Sequence, residues 1–257
     1  MYSSRGQSIM KIKRFFHQFA SPRFIYNLGE KVSIYFCVLA FIFIGLGTYQ
    51  GLFIAPPDYL QGDAFRIIYI HVPTAYISLL CYVIIAVASF IAYVWHIKLG
   101  YYASQALAPI GAVFTVLALL TGAIWGKPMW GSYWQWTDPR MMSELLLLFL
   151  YLGFIILSKS FNEQEKGDRV SSILAIVGII NIPIIHYSVE WWSSIHQGAT
   201  LMKKGGPSID PSMLTPLLFM LAGITCYFIY ISCLRLNTII LIREQGARWQ
   251  NGVNNNE

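Results

Sequence analysis

Two histidines and a dense group of tryptophans set the chemistry open to this chain. His71 sits in Arg66-Ile-Ile-Tyr-Ile-His71-Val-Pro73, and His196 in Glu190-Trp-Trp-Ser-Ser-Ile-His196-Gln-Gly198. Four of the eight tryptophans, Trp125, Trp130, Trp134 and Trp136, fall within residues 125–140, with Gly126 and Gly131 shaping the turns and Lys127 and Arg140 near either end. Imidazole is the usual nitrogen donor to an iron porphyrin, and six-coordinate iron takes two axial ligands. Such a ligand also needs an apolar aromatic slot for its ring and cations for its propionates. Clustered indoles supply the first, and Arg66, Lys127 and Arg140 the second. A single histidine in an apolar chain more often just bonds a backbone carbonyl; the tryptophan cluster shifts the balance toward a large flat aromatic ligand.

The remaining reactive side chains suggest less. His17 and His96 lie in ordinary interfacial sequence, and His186 follows Pro183 near the outer end of an apolar span. Asp58, Asp63, Asp138, Glu144 and Glu190 are mostly interfacial; Glu144, about one turn into its span, is an intramembrane ionisable group and so a functional candidate, although shallow enough to reach water. Cys37, Cys81, Cys226 and Cys233 all fall in apolar spans and read as small buried hydrophobes. No Cys-x-x-Cys pair, phosphate-binding glycine loop or nucleophile set occurs, so no catalytic residue is assigned.

The elements that must position these groups are membrane helices. The chain has 257 residues, 56% hydrophobic and 12% charged, against about 25% charged in soluble domains. Six apolar spans are expected, at about 32–54, 67–95, 103–124, 141–158, 170–187 and 214–235, which makes this an all-α polytopic membrane bundle forming one domain over 1–257. The basic N-terminus precedes an apolar run too long for a signal core, which reads as an uncleaved first span. Thirteen Lys and Arg residues fall on one set of span ends and five on the other. Both termini should therefore face the cytoplasm, with the tryptophan loop at 125–140 and the loop at 188–213 outside. The net charge of +6 reads as this orientation and not as a nucleic-acid surface. Asp138-Pro139 and Asp210-Pro211 each place a capping carboxylate before a proline at the first helical position. Pro73 should disturb the start of span two, leaving His71 at a break. Gly47-x-x-x-Gly51 offers a weak helix-packing face, and the polar tail from about 249 to 257 should be disordered.

With those residues in view, the chain resembles a known family. Trp-Gly-x-Pro-x-Trp-Gly-x-x-Trp-x-Trp followed by Asp-x-Arg is similar to the tryptophan-rich WWD signature of haem-handling proteins. The stretches Asp58-Tyr-x-Gln61-Gly62 to Pro73, Ala108 to Phe114 and Pro183 to Gly198 resemble, within that group, the cytochrome c maturation protein C family, also called haem exporter protein C. The similarity covers about residues 20 to 245. It implies binding of haem b at the outer face of the inner membrane, bacterial or mitochondrial. His71 and His196 would be the axial iron ligands; Trp125, Trp130, Trp134, Trp136 and Asp138 match the signature. The implied acceptor is the haem chaperone CcmE, and the implied complex includes the ABC-type pair CcmA and CcmB and the small protein CcmD. One departure stands out: Thr137 is an extra residue between Trp136 and Asp138, expected to be absorbed in the loop before the cap. Two alternatives are a haem synthetase acting directly on apocytochrome and a secondary transporter.

Overall fold

The computed structural model describes residues 21–192, 194–196, 209–247 and 249. Its elements, in order, are α1 (Pro22–Tyr49), a π-helical turn (Gln50–Ile54), a 3-10 turn (Asp63–Ile67), α2 (Ile68–Trp95), α3 (Lys98–Trp130), α4 (Pro139–Leu157), α5 (Gln164–Gly178), α6 (Asn181–Trp191) and α7 (Pro211–Arg243). Among the described residues, six segments are long and apolar enough to cross a membrane: Pro22–Ile54, Asp63–Trp95, Lys98–Trp130, Pro139–Leu157, Gln164–Trp191 and Pro211–Arg243. No strand occurs among the described residues, as the all-α reading requires.

Several boundaries differ from the expectation, each for a local reason. The first span begins at Pro22, ten residues early, because Ser21-Pro22 starts the helix while the chain is still polar. The helix that begins with Ile68 runs unbroken through Pro73, so His71 lies in a continuous first turn and not at a break. The irregularity precedes it, in the 3-10 turn. Span five is two helices: α5 stops at Gly178 and α6 begins at Asn181. Pro183 removes the N–H that would bond the carbonyl of Ile179, and a tighter bond from the Ile182 N–H to that carbonyl, at 3.0 Å, takes its place. Gly47 and Gly51 do not form one packing face. A Cβ on Gly47 would strike Met220, whereas one on Gly51 would strike the ring of Tyr69.

α1 lies along α7, with Gly47 and Gly223 letting the two backbones approach. Without a hydrophobic drive between helices in lipid, such close approach supplies the attraction. α2 and α3 form a hairpin around His96, which closes α2 in the left-handed region with φ 57°. The densest core is Ile77, Tyr82 and Ile85 from α2, Leu147 and Tyr151 from α4, Ile185 from α6 and Leu217 from α7. At the end remote from the tryptophans a polar knot joins α3, α5 and α7. There Arg243 pairs with Asp168, Gln105 donates to Asp168, and Tyr102 donates to Glu244 at 2.8 Å. Most of the tail lies outside the described residues, but Trp249 is described and packs against Tyr26 with ring centroids 5.8 Å apart.

Candidate paired-imidazole site

The C-terminal third of α3 is the wall on which the site is built. The helix continues past Trp125 and Pro128 and ends only at Trp130, where Gly131, at φ 77°, returns its N–H to the Lys127 carbonyl. Trp125 and Trp130 are therefore helical, and the tryptophan loop proper is residues 131–138. A glycine C-cap is the signal that places this end; Pro128 looks like a stop but sits in the last turn.

Ala118, Thr121, Gly122 and Trp125 form one stripe at helical spacing, and His71 packs on it. Its Nδ1 lies 3.2 Å from the Ala118 carbonyl and 3.1 Å from Thr121 Oγ1. A carbonyl only accepts, so Nδ1 carries the proton and donates. Nε2 then holds the lone pair. Gly122 leaves room for the ring: a Cβ there would sit 3.0 Å from His71 Cε1. The Trp125 indole meets the imidazole edge-on at 5.7 Å, and its N–H donates to Gln61 Oε1 at 2.9 Å, which fixes the indole's tilt.

His196 is held the same way by different means. Asp138 caps α4, its Oδ1 accepting the Met141 N–H at 2.9 Å, and the same oxygen lies 3.2 Å from His196 Nδ1. Its Oδ2 accepts from the Ser194 hydroxyl at 2.7 Å and from the Ile195 N–H at 3.1 Å. One buried carboxylate thus starts a helix and fastens the segment that carries His196. Thr137 is taken up in the turn before it, closed by the Asp138 N–H on the Gln135 carbonyl at 3.2 Å. Trp130 packs edge-on against His196 with centroids 4.8 Å apart. Gly126 lets that indole fold back, since a Cβ there would meet the Trp130 ring at 3.0 Å.

Both imidazoles are therefore anchored through Nδ1, and neither Nε2 has a hydrogen-bond partner among the described residues. Ring orientation by a carbonyl or carboxylate on the far nitrogen is how metal-binding histidines are prepared. The two rings sit at one end of the bundle. Their indole partners are five residues apart on one helix, about 7.5 Å of rise. Burial lowers the His196 imidazole below its usual pKa, favouring the neutral form; Asp138 opposes this and Arg140 adds to it. Burial alone would raise the Asp138 carboxyl, but hydrogen bonds from Met141 and Ser194, then the His196 charge, hold it below its usual value.

The expected cations separate. Arg140 is half-buried beside Asp138 and Glu144 and forms no hydrogen bond or ion pair with a described residue. Arg66 is committed to Asp63 at 2.9 Å, to the Gly51 carbonyl and to the face of Phe65. Lys127 donates to the Gly131 carbonyl at 3.0 Å and lies over Tyr133. Trp134 and Trp136 pack against each other at 5.6 Å; the Trp134 N–H is buried with no partner among the described residues, whereas Trp136 is 72% exposed. His186 is exposed on α6 against Tyr187 and does not join the site. His17 and most of the segment after His196 lie outside the described residues. Glu144 does not reach water: it is 9% exposed and accepts from Ser78 Oγ at 2.8 Å. Sequence reading missed Gln61, Ala118, Thr121 and Ser194, whose contributions depend on contacts between helices.

Six apolar spans carrying two imidazoles, each oriented through Nδ1 and flanked by an indole at one end, define a multi-pass membrane protein. The sequence profile of the family described as "Heme exporter protein C" matches residues 15–251. A Haemophilus influenzae protein of that description is 43% identical over 236 residues, 92% of this chain and 96% of the relative. The protein of the same description from Escherichia coli K12 is 43% identical over 233 residues, 91% of this chain and 94% of its own. A Marchantia polymorpha "putative cytochrome c biosynthesis ccmC-like mitochondrial protein" is 40% identical over 193 residues, 75% of this chain and 80% of that one. The chain belongs to the Heme exporter protein C family.

Proposed function

We propose that this protein binds haem b at the outer face of the inner membrane and delivers it to the haem chaperone CcmE for maturation of c-type cytochromes. The observation that carries this reading is the matched pair of imidazoles, each tied down through Nδ1 with Nε2 open. His71 and His196 are the axial ligands. Trp125 and Trp130 flank them, and Trp134 and Trp136 form the lid and part of the surface offered to the chaperone. Arg140, unpaired and close to both histidines, receives a propionate; Arg66 and Lys127 are rim cations already engaged locally. The cargo supplies the chemistry, and the protein supplies ligation, orientation and an apolar slot. It is an assembly factor more than a conventional enzyme.

Its partners in this reading are CcmA, CcmB and CcmD together with CcmE. The excess of Lys and Arg on the opposite span ends supports cytoplasmic termini and an outward site, in a bacterial inner membrane or its mitochondrial equivalent. The deciding experiment loads the purified chain with haem and offers it CcmE and apocytochrome separately in the same lipid. Covalent haem on CcmE, lost when His71 or His196 is removed, is the expected result. Direct attachment to apocytochrome would instead indicate a synthetase, and haem uptake into vesicles by this chain alone a transporter.

A further inference from the structure

We infer that Glu144 is a positioning residue of the haem site, acting through Ser78 to fix the spacing of the two imidazoles; the inference rests on the function proposed above. His71 rides on α2. His196 is tied, through Asp138, to the first turn of α4. These two helices pack chiefly through their shared neighbours α3 and α5. Besides the edge-on contact of Tyr82 and Tyr151, with centroids 5.2 Å apart, what joins them directly is a polar clasp around Ser78. Its Oγ bonds Glu144 Oε1 at 2.8 Å, and its carbonyl accepts from the Tyr151 hydroxyl at 2.7 Å. Ser78 and Tyr151 are fully buried and Glu144 is 9% exposed.

The clasp stands in register with the site. Ser78 follows His71 by seven residues, and Glu144 follows Asp138 by six. At the helical rise that is about 10 Å and 9 Å respectively, so the bond crosses at one level, about two turns below His71 and below the carboxylate that tethers His196. A buried carboxyl inside a membrane bundle is costly, and an apolar side chain of the same volume would pack at no such penalty. Glu144 also lies one turn from Arg140, and its charge acts on that guanidinium. Losing the clasp frees α2 to shift against α4 and lengthens the path between the two Nε2 atoms. Six-coordinate ligation tolerates little of that, because both nitrogens must reach one iron.

The test compares Ser78→Ala, Glu144→Leu and Glu144→Gln in the full chain, purified in lipid nanodiscs and titrated with haemin while absorption and EPR spectra are recorded. The expected result is a shift from low-spin six-coordinate to high-spin five-coordinate iron in Ser78→Ala and Glu144→Leu, with affinity reduced about tenfold, as changes behind metal ligands do. Added imidazole restores the low-spin spectrum. Glu144→Gln, which keeps an acceptor for the Ser78 hydroxyl, retains it unaided. Wild-type spectra and affinity in either disruptive variant, or equal damage from Gln and Leu, overturns the inference. Should Glu144→Leu not accumulate, Ser78→Ala decides, since it removes one oxygen and leaves the packing. A wild-type chain without a two-imidazole spectrum refutes the haem reading itself, a distinct outcome.

Discussion

Asp138→Asn separates what Asp138 does for the helix from what it does for His196. Asparagine caps a helix about as well as aspartate, so its one carbonyl oxygen can keep the Met141 N–H. The same oxygen also faces His196 Nδ1 at 3.2 Å, but no acceptor remains for the Ser194 hydroxyl and the Ile195 N–H, which bond the other carboxylate oxygen at 2.7 and 3.1 Å. The amide nitrogen would point a donor at donors. Hydrogen bonds to a charged group contribute about 1.5–3 kcal/mol each. Losing the two that fasten the segment carrying His196 therefore costs about 10- to 100-fold in haem affinity, the range found behind metal ligands. The thermal midpoint should move little, whereas Asp138→Ala should lose the cap as well, about 1 kcal/mol more. Haemin titration in detergent, followed by absorption, reads the affinity. The cycle with His196→Ala is decisive: if Asp138 acts through His196, its substitution costs little once that imidazole is gone. An equal loss in both backgrounds, or none in either, would refute the reasoning.

Three further outcomes follow from the same geometry. Gly122→Ala should raise helix stability by up to about 1 kcal/mol yet weaken haem binding several-fold, because its methyl would stand 3.0 Å from His71 Cε1; Gly45→Ala, with open space around it, should change only stability. Arg140→Gln should weaken haem but not its dimethyl ester, since only free propionates can pair with the guanidinium, and titration of both ligands checks this. Asp168→Ala leaves Arg243 buried and unpaired (side chains 7% and 9% exposed), which should cost about 3–5 kcal/mol of stability in a denaturant titration while the ligation spectrum stays unchanged.

Much of this was legible in the sequence, and the boundary between what was and was not is physical. Helical membrane spans announce themselves because a lone segment in lipid must satisfy its own backbone hydrogen bonds and present an apolar surface. Asp138-Pro139 and Asp210-Pro211 announce their caps because capping is a local property; Asp210 accepts the Ser212 N–H at 2.9 Å as expected. The break in span five was also written locally, in Gly178 and Pro183, but a continuous apolar run concealed it. The apolar run ends near residue 124, but the helix continues to Trp130, and Gly131 marks where α3 ends. What no local pattern carries is the second role of Asp138, or the Ala118 carbonyl that orients His71. Those depend on how α2, α3 and α4 meet. Nor could composition foretell that Arg66 and Lys127 find partners close by, leaving Arg140 as the unpaired cation beside the histidines.

The central claim is that both Nε2 atoms bind one iron. Its most direct test is the low-temperature EPR and visible spectrum of the haem-loaded chain, compared with His71→Ala, His196→Ala and His186→Ala. The account predicts a low-spin two-imidazole signal that collapses to five-coordinate in either of the first two variants, returns on adding imidazole, and survives in the third. A wild-type spectrum unchanged by removal of His71 or of His196 would contradict it.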